Sequence, residues 1–144
     1  MSGELDIRHG GAIAVDTDAL RDVGRRLAAV GVRFDDARAA ITRAHAAVTE
    51  DPGLASVDSV ALAAAGGCAA ALGDECADAA AGTLLMADAF ELVELRAQAQ
   101  ALGLADIAEA AVLQGRIERL TASDERIATM ADRLVEGWKD GRFE

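Results

Sequence analysis

Apolar residues recur along most of this chain at alternating steps of three and four, the spacing that collects them on one face of an α-helix. The run is cleanest near the start, where Leu20, Val23, Leu27, Val30, Phe34, Ala37, Ile41, Ala44 and Val48 follow without a miss. Such a stripe predicts a helix over residues 17–50 with a seam for another helix. Asp16, Thr17 and Asp18 offer capping oxygens and negative charge at its beginning. Asp51-Pro52-Gly53 ends it, because proline cannot continue a helix and glycine turns freely. Gly24 and Gly31 fall just beside the seam, and the arginines of this segment point away from it.

A second helix is predicted over residues 56–102. Its best seam steps through Leu62, Ala65, Ala69, Leu72, Cys76, Ala79, Thr83, Met86, Phe90, Val93 and Ala97. The first half of that seam is small and the second half bulky, so a partner helix can approach closely only along the first. Gly66-Gly67, Gly73 and Gly82 each cost about 1 kcal/mol relative to alanine and are candidate breaks. Gly103 then stops or bends the chain before a third helix over residues 104–139. Ile107, Ala110, Leu113, Ile117, Leu120, Ile127, Ala131, Leu134 and Trp138 line its face. Ser123-Asp124-Glu125 carries a helix-start signature, which leaves a fourth helix there as the alternative. Residues 1–15 read as a short extended arm, with Leu5 and Ile7, then Ile13 and Val15, alternating around His9-Gly10-Gly11. The residues from Asp140 onward are expected to fray. The fold class is therefore all-α. A single domain, residues 1–144, holds a long helical hairpin and a third long helix, packed as a three- or four-helix bundle in the coiled-coil manner.

Composition sharpens this picture. Of 144 residues, 35 are alanine and only 3% are aromatic, so the helices must pack through small side chains. The net charge of −11 argues against a nucleic-acid partner, whose phosphates repel such a surface. The charge is uneven: residues 57–113 hold nine acidic side chains against one basic, Arg96. That segment is a solvated face or a docking face for a basic partner. The first fourteen residues hold no apolar run of signal-peptide length, and the longest uncharged apolar stretch, Val60 to Leu72, falls short of the ~20 residues of a membrane span. The expected location is thus cytoplasmic, or secreted without a cleaved signal peptide, with no stable membrane insertion.

Chemistry is sparse. Cys68 and Cys76 are eight residues apart, ~12 Å along a helix, too far for a disulfide, and both read as small buried residues. Carboxylates cluster at Asp74, Glu75 and Asp78 and at Asp88, Glu91 and Glu94, but a helical dimetal site wants Glu-x-x-His steps that His9 and His45 do not supply. No catalytic, cofactor-binding or metal-ligating residues are assigned, and a non-enzymatic protein is expected. The candidate interaction residues are Leu20, Val23, Leu27, Val30, Phe34 and Ile41 on the first seam, and Trp138. Trp138 continues the Leu134 face and is either a core plug or an aromatic anchor for a partner.

Ala14-Val15-Asp16-Thr17-Asp18-Ala19-Leu20, followed by an Arg- and Ala-rich heptad helix and the Pro52-Gly53 turn, resembles the opening of actinobacterial ESX-type proteins. These are small helical-hairpin substrates of type VII secretion, including WxG-type and EspC-like members. The resemblance covers residues 13–53 in detail. It implies pairing with a second helical chain, the same or different, and export without a cleaved leader. The expected function is a non-enzymatic interaction module of such a system, as substrate, targeting domain or dimer partner of a substrate. The alternative is a cytoplasmic adaptor or scaffold docking a partner through its acidic middle segment.

Overall fold

The computed structural model describes residues 15–142, so the arm expected at residues 1–15 lies, but for Val15, outside the described residues. The protein is all-α, with four helices and no strand among the described residues. Helix α1 spans Thr17–Glu50, α2 Ser59–Leu102, α3 Ile107–Ser123 and α4 Glu125–Lys139, with a single 3₁₀ turn at Pro52–Leu54 between α1 and α2.

Every one of these segments begins on an aspartate. The carboxylates of Asp16, Asp58 and Asp106 each accept the backbone N–H three residues on, from Ala19, Ala61 and Glu109, at 3.0 Å. Asp51 accepts from Gly53 at 2.8 Å to open the 3₁₀ turn, and Asp124 accepts from Arg126 at 2.9 Å to open α4. Several of the acidic residues therefore serve as local caps for donors that a helix start leaves without partners. Glycine closes two of the helices. Gly103 ends α2 at φ +52°, its N–H bonding to the Ala99 carbonyl at 3.2 Å. Gly141 at φ +65° ends α4, where Arg142 donates to the Gly137 carbonyl at 2.9 Å. The chain after Asp140, expected to fray, is thus tied down as far as Arg142.

The helix expected over residues 104–139 is two helices. Ala105 N–H reaches back to Leu102 across the Gly103 turn, so helical structure resumes only at Ile107. Asp124 then leaves helical geometry at φ −155°, ψ 121°, ending α3 and capping α4. The cause is local. The Ser123 hydroxyl donates to Leu120 at 2.7 Å, and the Asp124 carboxylate binds both the backbone and the guanidinium of Arg126. These side-chain bonds offer the backbone an alternative to the helical ladder. By contrast α2 runs unbroken through all its glycines.

The chain forms two compact units. Among the described residues, one combines 15–22 with 83–142; the other is 23–82. In the first, Ala89, Leu92 and Val93 of α2 meet Ile127, Ala131 and Leu134 of α4 in a closed core, with Leu92 and Ile127 fully buried. Met86, Phe90, Ile117, Leu120 and Trp138 pack around that core. The α2 residues from 85 to 95 are buried or half-buried on every side, which explains why this half of the helix lacks a single apolar stripe. The second unit is an antiparallel hairpin of α1 from Val23 onward and α2 as far as Gly82. Its buried residues are all small: Gly24, Gly31, Ala69, Gly73 and Ala80.

Candidate functional site

The hairpin of residues 23–82 carries most of the interaction residues read from the sequence, and it divides them. Leu27, Phe34 and Ile41 are half-buried between α1 and α2, whereas Val23 and Val30 are 48% and 41% exposed. Half of the expected seam thus faces α2 and half does not. The ridge that replaces Val23 and Val30 is Gly24 and Gly31, both buried, one heptad apart. Glycines expected beside the seam are its closest-packed positions.

Helix α2 answers with a matching ridge. A Cβ placed on Gly31 would lie 3.4 Å from the Gly73 carbonyl oxygen and 3.4 Å from the Cys76 Cβ. One placed on Gly73 would lie 3.5 Å from the Phe34 Cβ and 3.6 Å from the Gly31 carbonyl oxygen. The two backbones therefore touch almost directly. The expected α2 seam is rotated in the same way: Ala69 is buried and Leu62 and Cys76 half-buried, but Ala65, Leu72 and Ala79 are exposed and Gly66, Gly73 and Ala80 face inward. Cys68, expected to be buried, is exposed on the side of α2 away from α1; both thiols are free.

This rotation leaves a second apolar flank. At about 100° of rotation per residue, Val23 and Val30 on α1 and Ala65 and Leu72 on α2 lie on the same side of an antiparallel pair. Leu72 is 44% exposed. Leu27, Phe34 and Ile41 form the half-buried floor between these rows. By length and composition α2 could also cross a membrane: its most apolar 18-residue window has mean hydropathy 1.3 and is 11% buried. The uncharged run considered in the sequence is extended by the unbroken helix around it.

In the other unit, Leu20 is half-buried, and so is Trp138, whose ring centroid lies 5.9 Å from that of Phe90 at 58°. Trp138 therefore contributes to the core beside Leu134. The same unit holds a charge cluster that heptad spacing did not reveal. The Arg21 guanidinium bonds to Asp88 at 2.9 Å and also to Glu91, and Glu91 accepts a further bond from Arg116 at 3.2 Å. Partial burial works against the charge on Arg21. Its hydrogen bonds to Asp88 and Glu91, and their charges, outweigh that and hold its pKa above the usual arginine value. Two carboxylates of the acidic segment are thereby spent on the fold. Arg21 at i and its acceptors 67 and 70 residues later leave no local sequence signal that pairs them.

Among the described residues no three metal-ligating side chains converge. No protein-family model matches the chain, and neither the curated proteins nor the solved structures contain a significant match to it.

Proposed function

We propose that this protein is a non-enzymatic helical interaction module whose hairpin pairs, through its apolar flank, with a second helical chain. The observation that carries this reading is the exposure of Val23, Val30 and Leu72 on one side of a hairpin that buries only small residues. A two-helix unit that fully buries only glycine and alanine, with Leu27, Phe34 and Ile41 half-buried, recovers little hydrophobic free energy, and covering the flank with another helix adds what the hairpin lacks. The acidic segment supports the rival docking role less well, because Asp88 and Glu91 already serve Arg21 and Arg116.

The resemblance of residues 13–53 to ESX-type helical hairpins supports reading this pairing as part of a type VII secretion system, as substrate, targeting domain or dimer partner of a substrate. Two measurements test it. Replacing Val30 with aspartate should leave helicity intact and weaken association seen by sedimentation, whereas Phe34→Asp should disrupt the hairpin or the assembly. Unchanged mass for Val30→Asp and an unchanged melting temperature for Phe34→Asp would overturn the pairing face. Culture supernatant and lysate are then compared with and without the secretion ATPase. ATPase-dependent appearance outside the cell is expected, and strict retention would overturn the substrate role.

A further inference from the structure

The ridge of α1 that touches α2 changes character toward the turn. Counting by heptads from Gly24 and Gly31, the next two positions are Arg38 and His45. Where the first pair lets the backbones meet, the second borders the same opening as Gly66 and Gly67 of α2. Between them lies a notch of about 310 Å³ within the hairpin, walled by Ile41 and Leu62. A Cβ on Gly66 would rest 3.4 Å from the Ile41 Cγ2, so that glycine seats the apolar wall. A Cβ on Gly67 would meet nothing within 4 Å, so the notch is open above it.

The charges in the notch are unbalanced. No carboxylate among the described residues pairs with Arg38 or His45, although the chain carries a net charge of −11. The facing stretch of α2, from Ser59 to Gly73, has no charged residue at all. The Thr42 hydroxyl at the rim is already donating to the Arg38 carbonyl at 2.9 Å, which leaves the two cation-capable side chains as the free polar groups. A fork of N–H donors beside an aliphatic wall suits a small oxyanion on a hydrocarbon body, of which a short aliphatic carboxylate is the simplest.

We propose that the Arg38–His45 notch binds a short aliphatic carboxylate, with the carboxylate on Arg38 and His45 and the hydrocarbon against Ile41 and Leu62 over the glycine pair. This site shares Ile41 with the floor of the apolar flank but needs neither a partner helix nor any role in secretion. A ligand this small gives a Kd of about 1 mM.

The test is titration of the full chain with sodium hexanoate at constant ionic strength, followed by amide chemical shifts, with 1-hexanol as the uncharged control. Saturable shifts at Gly66 and Gly67 are expected with hexanoate and not with hexanol. Arg38→Gln, an exposed position that the fold does not need, should weaken binding about tenfold. Gly67→Leu adds a side chain at the open rim, where a Cβ meets nothing within 4 Å, and should weaken binding with helicity retained by circular dichroism. Equal binding of hexanol, no saturable shift with hexanoate, or unaltered binding by Arg38→Gln would each overturn the site.

Discussion

Gly31 of α1 and Gly73 of α2 face each other so closely that a methyl group on either would contact the carbonyl oxygen of the other, at 3.4 Å and 3.6 Å. The hairpin is closed by backbone against backbone at this crossing. Glycine there costs helix propensity, and the close approach offsets it by bringing many weak contacts within range.

Gly31→Ala is expected to stay within about 1 kcal/mol of the parent, since the new methyl meets Cys76 and Gly73 at ordinary contact distance and alanine favours the helix. Gly31→Leu has no room and should destabilise by about 1–3 kcal/mol. Urea denaturation measures both, and an unshifted midpoint for the leucine variant would mean that the helices do not meet there.

Ile127 is 1% exposed at the centre of the α2–α4 core, so Ile127→Ala should cost about 2–5 kcal/mol. Val112 is 64% exposed, and Val112→Ala should change stability by no more than about 0.5 kcal/mol. Thermal or chemical denaturation of the two variants side by side checks the assignment of core and surface.

The ion pairs of the first unit differ in shelter. Arg21 and Glu91 have side chains 22% and 23% exposed, whereas Arg96 and Asp132, 2.8 Å apart, are 41% and 66% exposed. A double-mutant cycle on Arg21 and Glu91 should give a coupling of about 1–2 kcal/mol, and one on Arg96 and Asp132 about 0.5 kcal/mol or less. Salt should erode the second coupling more than the first. Equal couplings would remove the distinction.

Hydrogen bonds from the Arg126 side chain, then from its backbone N–H, hold the Asp124 carboxyl below its usual pKa. A depressed folded-state pKa contributes stability that is present above the unfolded value and is lost as pH falls through the folded one. The start of α4 should therefore loosen on acidification across that window. Asp124→Asn keeps a capping oxygen and removes the titration, so amide exchange at the start of α4 should lose this pH dependence. Parallel acid profiles for the two proteins would rule out the carboxylate as the cause.

Much of the fold was legible because its signals are local. The three-four spacing from Leu20 to Val48, the Asp51-Pro52-Gly53 turn and the Gly103 stop each act within a few residues and gave the bounds of α1 and the end of α2 closely. The break at Asp124 was legible as an alternative, since its capping bond is also local. Glycines 66, 67, 73 and 82 misled as candidate breaks, because propensity is a small term beside the packing that a 44-residue helix gains along its length.

What the sequence by itself determined is that the chain is helical, where its first helix begins and ends, and that small residues must carry much of the contact. Tertiary structure alone decided which ridge of each helix is buried. Leu27, Phe34 and Ile41 lie at the middle of a broad stripe, and the helix can turn either Val23 and Val30 or Gly24 and Gly31 toward its neighbour. That choice depends on the surface α2 offers, with Gly66, Gly73 and Ala80 in line, and no property of α1 alone contains it. The same holds for Arg21, whose acceptors lie on another helix far along the chain. Spacing fixes the face of a helix to within a heptad position; the partner helix fixes the rest by where backbones can touch and charges can meet.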